Sequence, residues 1–141
     1  MDDPHDLQRF VDAQAPVIQQ VLAELRRGRK TSHWMWFIFP QIAGLGQSAM
    51  ARTYAIHSLD EARAYLAHPV LGPRLRDCTR LVNAAQDASI AQIFGSPDDM
   101  KLHASMTLFA LADDEAGEFR ETLRRRFGGT PHAATLDLAK P

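Results

Sequence analysis

The sequence predicts an all-α fold: a single helical domain over residues 1–141, made of about seven or eight short helices, with a possible short extended piece near Trp34–Phe39. Three observations predict it. Apolar residues recur at three- and four-residue spacing along most of the chain. Capping residues, prolines at first helical positions and glycines after last ones punctuate that pattern. No segment sustains period-two alternation, and β-branched residues are thin outside the helical patterns.

Taken in order, Asp6 is positioned to cap a first helix that runs through about Gln14. Pro16 suits the first position of a second helix, in which Val17, Ile18, Val21, Leu22 and Leu25 form one face. Arg26 and Arg27 complement the negative end of its dipole, and Gly28 supplies the stop. The apolar run Trp34 to Phe39 is too short for periodicity to assign it to helix or strand, and Pro40 ends either. An irregular stretch is expected from Pro40 to about Ser48. Ser58 with Glu61 reads as a capping box ahead of Leu59, Ala62, Tyr65 and Leu66, in a helix that must stop before Pro69. Pro73 opens the next, with Leu75, Cys78, Thr79, Val82 and Ala85 inward. Ile90, Ile93 and Phe94 make a short amphipathic turn ended by Gly95. Ser96-Pro97-Asp98-Asp99 combines a hydroxyl cap, a first-position proline and two acids, and starts a helix to about Ala112. Glu115 to Phe127 is amphipathic and stopped by Gly128-Gly129, and Thr130-Pro131 starts a last short helix around Leu136 and Leu138.

Composition excludes several functional classes. Hydrophobic residues are 45% and charged residues 23% of the chain, the balance of a packed globular domain. A net charge of -1 leaves no broad electrostatic footprint for nucleic acid or an anionic membrane. The longest apolar runs fall far short of the ~20 residues of a membrane span, and Asp2 and Asp3 stand where a signal peptide would be basic, so a cytoplasmic location is expected. Cys78 is the one cysteine, and no Cys or His spacing suits zinc, so neither metal nor cofactor is expected. The oligomeric state is not encoded in any visible pattern.

The most concentrated chemistry lies in Lys30 to Pro40, which holds both tryptophans, two of the seven phenylalanines and one of the six histidines. A buried hydrophobic element accounts for the rings alone. Lys30, Ser32, His33 and Gln41 add a cation, a hydroxyl, an imidazole and an amide, the mix expected where a ring is stacked and its polar edge is read. One tryptophan of Trp34 and Trp36 can then enter the core while the other faces a cleft. Gly44, Gly46 and Ser48 follow as a turn that could rim the same cleft. Ser96 to Phe109 is the second candidate. Lys101 and Ser105 share a helical stripe and could address one ligand, while Asp99 would sit near a sugar or a water. The remaining histidines are scattered and read as surface residues.

Larger motifs carry a resemblance. Lys30-Thr31-Ser32-His33-Trp34-Met35-Trp36-Phe37-Ile38-Phe39-Pro40-Gln41, Gly44-Leu45-Gly46, Tyr54-Ala55-Ile56, Glu61 through Gly72, Asp98-Asp99-Met100-Lys101-Leu102 and Ser105-Met106-Thr107-Leu108-Phe109 together resemble a bacterial family of unknown function. Its members are often labelled calpastatin, and the likeness runs from about Asp6 to Leu136. The chain differs from the family pattern in reading Ala104-Ser105 where two serines are usual. Animal calpastatin is a repetitive inhibitor that is largely disordered until bound, so protease inhibition does not follow for a chain with packed-domain composition. In general organisation the family is similar to small helical domains that process NAD-derived and ADP-ribosyl compounds.

Two functions follow as expectations. In the first, a pocket takes a nucleotide or ADP-ribose-like ligand: Trp34 or Trp36 stacks on a ring, Lys30 and Lys101 meet phosphate, and Ser32, Gln41, Gly44, Gly46, Ser48 and Ser105 complete the lining. Its enzymatic version is a hydrolase or transferase acting at an N-glycosidic bond, with His33 or Asp99 handling the proton. In the second, the aromatic segment anchors a protein partner without catalysis.

Overall fold

A computed structural model describes residues 2–113 and 117–140. Among them lie ten helices: α1 Gln8–Gln14, α2 Ile18–Arg27, α3 Met35–Ile38, α4 Ala49–Thr53, α5 Leu59–Ala67, α6 Leu71–Ala84, α7 Ile90–Phe94, α8 Asp98–Ala112, α9 Gly117–Arg126 and α10 Ala133–Leu138. The architecture is all-α. The ambiguous run at Trp34–Phe39 is the one-turn helix α3, not a strand, and α4 falls just beyond the stretch expected to be irregular. Extended pairing among the described residues is limited to one parallel bridge, Ile42 with Ile56.

Several helix starts use a different cap from the one the sequence suggests. Asp3, not Asp6, caps α1, its carboxylate accepting from the Leu7 and Gln8 N–H groups at 2.8 and 3.0 Å. Asp6 lies at φ 50 in the turn just before. Pro16 sits in the turn ahead of α2, which begins two residues later and ends as expected at Gly28, φ 73. Pro73 is the third residue of α6, still among the positions whose N–H needs no intrahelical partner, and His68 Nδ1 accepts from Val70 and Leu71 N–H at the entry. The Ser58 hydroxyl caps Glu61 as expected, but the Glu61 carboxylate accepts from the His57 N–H and pairs with Arg9 instead of closing the box. A complete capping box instead joins Ser89 and Gln92 at the start of α7. Pro97 occupies the cap position of α8, after a cis Ser96–Pro97 bond, and Ser96 caps nothing. The start expected at Glu115 lies outside the described residues. At α10 His132, not Thr130, is the cap.

The core forms around α8, which is buried from Ala104 through Ala110 and has apolar residues on every side. Helices α5, α7, α9 and α10 pack on it, while α6 bridges α5, α9 and α2. Phe10, Tyr65, Phe109 and Phe119 make a chain of ring contacts across α1, α5, α8 and α9, with centroids 5.1, 5.3 and 5.9 Å apart. Helices α5 and α6 approach so closely that a Cβ on Gly72 would lie 2.2 Å from the Leu66 carbonyl oxygen. No helix among the described residues is long and apolar enough to cross a membrane.

Candidate ligand cleft

The two tryptophans are separated by what happens one helix earlier. Glu24 of α2 is buried, and its carboxylate accepts from the Thr31 and Ser32 N–H groups, the Ser32 hydroxyl, the Gln20 amide and Trp34 Nε1–H. Burial alone would push this carboxyl up. The donors from Ser32, Thr31, Gln20 and Trp34 outweigh that and hold it at about 2. A charged Glu24 therefore pins residues 31–34 and draws the Trp34 indole inside, where it is 1% exposed against Phe39 and Phe94.

Trp34 is thus core and unavailable for stacking, which corrects one arm of the expectation. Ser32 is spent on Glu24. Lys30 is withdrawn as a phosphate contact as well: its side chain is 8% exposed, paired with Asp98 at 2.8 Å and 5.1 Å from the Trp34 ring centroid. Ser105 is fully buried in α8, its hydroxyl without a hydrogen-bond partner among the described residues, so the stripe it shares with Lys101 turns inward at this residue.

Trp36, two residues beyond Trp34, comes out on the other side. It is half-buried, and its indole N–H has no partner among the described residues. Lys101 Nζ stands 5.4 Å from its ring centroid. Asp98 lies between the two lysines, 2.8 Å from Lys30 and 3.5 Å from Lys101, so one carboxylate serves two ammonium groups and a positive charge is left over at the Lys101 end. Trp36, Gln41, Gly46, Ser48, Lys101 and His132 line a cleft of about 420 Å³ there, within the size range of small-molecule sites. A smaller cleft of about 240 Å³ adjoins it and shares Trp36, Gln41, Gly46 and Ala51, with Gly44 in its lining. His33 is exposed and lines neither cleft; Asp99 lines neither, and its Oδ1 accepts from the Met100 N–H at 2.8 Å.

Sequence reasoning missed His132, having read it as one of the scattered surface histidines. Its backbone N–H donates to Thr107 Oγ1 at 2.9 Å, and its Nδ1 accepts the Thr135 N–H at 3.3 Å. The same nitrogen lies 2.9 Å from the Thr135 hydroxyl oxygen. Burial, then the neighbouring His103, hold its pKa below the ordinary 6.5. Both causes favour the uncharged ring at the cleft wall. The local signal was its place three residues before Thr135, the spacing of a capping side chain. Nothing local linked it to Trp36. Among the described residues no group of three or more His, Cys, Asp or Glu side chains could hold a metal.

The profile of a family described as protein of unknown function, DUF1810, matches residues 4–139. The chain belongs to this family. It is also similar to a solved member-sized structure, the crystal structure of the conserved hypothetical protein Rv1873 from Mycobacterium tuberculosis. The two are 56% identical, with a TM-score of 0.96 over 97% of this chain and 98% of that one. No curated protein matches the chain.

Proposed function

We propose that the Trp36–Lys101 cleft binds a small anionic ligand carrying a planar ring, of the nucleotide or ADP-ribose class. The observation that carries this reading is convergence. An aromatic face, a glycine-bearing loop and a cation from distant parts of the chain meet in one concavity. The Lys101 charge suits phosphate, the Trp36 face suits a base, and Gln41, Ser48 and His132 offer polar groups for a sugar or a ring edge. The reading is one of binding. If proton transfer takes place here, it falls to His132, since His33 and Asp99 lie outside the cleft.

The aromatic segment offers little to a protein partner. Trp34, Met35, Phe37, Ile38 and Phe39 are buried, which leaves one partly exposed ring where a hot-spot anchor needs a cluster.

Calorimetry with AMP and ADP-ribose tests the proposal. Binding at sub-millimolar affinity is expected, with a rise in melting temperature at saturating ligand. Trp36→Ala and Lys101→Ala should each weaken it by ~10-fold or more, the ~1.4 kcal/mol of a lost ring or charge contact. No heat and no thermal shift with either ligand at millimolar concentration would refute it.

A further inference from the structure

The smaller cleft has a different chemistry from its neighbour. Ile42, Ala43, Ala55 and Tyr54 give it an aliphatic and aromatic wall, with His57 and Arg52 on its polar side and the Arg52 guanidinium donating to the Gln47 carbonyl at 2.7 and 3.1 Å, whereas Ser48, Lys101 and His132 supply the polar groups of the larger one. Tyr54 packs against two core rings, its own 5.8 Å from Phe10 and 5.4 Å from Phe37, centroid to centroid. The parallel bridge fixes the opposite wall: Ala43 N–H donates to the Ile56 carbonyl at 2.8 Å, and Ile56 N–H to the Gln41 carbonyl at 2.9 Å. This lobe is therefore preformed.

At the boundary stand Trp36, Gln41 and Gly46, which line both lobes. The Gln41 side-chain amide makes no hydrogen bond among the described residues, so a donor and an acceptor remain for a ligand. Gly46 admits no side chain, since a Cβ there would lie 2.4 Å from Ala51 Cβ. The passage between the lobes is thus kept by glycine.

We propose that the two lobes are subsites for the two ends of one ligand: a heteroaromatic ring enters the Tyr54–Ala43 lobe, its edge read by Gln41, while its phosphate lies at Lys101 and His132. This rests on the function proposed above and deepens it by assigning the ring to a second pocket and by setting the ligand's direction. The substrate class is a nucleoside monophosphate or a larger compound that contains one. Linking the two ends makes capture of the second intramolecular.

Adenosine, inorganic phosphate and AMP separate the possibilities by calorimetry. AMP should bind at least ~10-fold tighter than adenosine or phosphate alone. Phosphate should leave adenosine binding unchanged in a competition titration, because the two occupy different lobes. Ala43→Phe, which fills the ring lobe, should weaken adenosine and AMP at least ~10-fold, whereas Lys101→Ala should weaken AMP and spare adenosine. The competition experiment uses the native chain and stands even if Ala43→Phe does not fold. Displacement of adenosine by phosphate, or full AMP affinity in a folded Ala43→Phe, would overturn the two-lobe assignment while leaving the Lys101 cleft intact. Absence of AMP binding to the native chain would also overturn the two-lobe assignment, and absence of ADP-ribose binding as well would remove both readings.

Discussion

Trp34 and Trp36 are chemically the same residue with opposite assignments, and a single carboxylate separates them. Trp34 donates to Glu24 and is sealed, while Trp36 lies at a cleft, its N–H without a partner among the described residues. Trp34→Ala should therefore cost ~3 to 5 kcal/mol in urea denaturation, and Trp36→Ala less than ~1 kcal/mol. The first loses core packing; the second should lose ligand. Glu24 also fixes a pH dependence. Its folded pKa of about 2 lies below the ordinary 4.5, so the stability it confers is complete above pH 4.5 and is lost as pH falls toward 2. Glu24→Gln should be less stable at neutral pH, and its difference from the native chain should shrink across that window in denaturation at stepped pH. His132 adds a second window. Its pKa is depressed below 6.5, so its contribution is present above 6.5 and declines as pH drops below it, when a proton on Nδ1 displaces the Thr135 cap. His132→Asn keeps a capping acceptor without titrating, and should flatten the melting temperature between pH 7 and 5.

Helices were the legible part of this chain because their signals are local. The αL glycine after α2, the Ser58 cap of α5 and the full span of α8 each depend on residues within a few positions of one another. Caps that reach farther were misassigned: Asp3 serves α1 in place of the expected Asp6, and His132 serves α10 with a ring nitrogen. Tight contacts between helices were not legible at all. Gly72 reads in sequence as a mere neighbour of Pro73, yet it is the point where α6 meets the Leu66 carbonyl of α5. Gly72→Ala should cost at least ~1 to 3 kcal/mol through overpacking against backbone. Gly117→Ala, with nothing within 4 Å of the added Cβ, should be neutral or stabilise by up to ~1 kcal/mol. Thermal melts of the two variants compare the same substitution in a crossing and in open space.

The molecule as a whole assembles a site from pieces that no single motif contains. α3 brings Trp36, the following loop brings Gln41, Gly44, Gly46 and Ser48, α8 brings Lys101, and the approach to α10 brings His132. Lys30, Ser32 and Trp34 lie beside Trp36 in sequence but are turned to Glu24 and Asp98, where they position the cleft without lining it. From the residues alone, an all-α chain with these main helices and an aromatic segment of mixed chemistry could be read, because periodicity and capping act over one or two turns. Which tryptophan is buried, which lysine stays available and where Tyr54 and His132 lie relative to Trp36 came from the fold. Those outcomes depend on a buried carboxylate in α2 and on contacts between residues far apart in the chain, and neither leaves a local pattern.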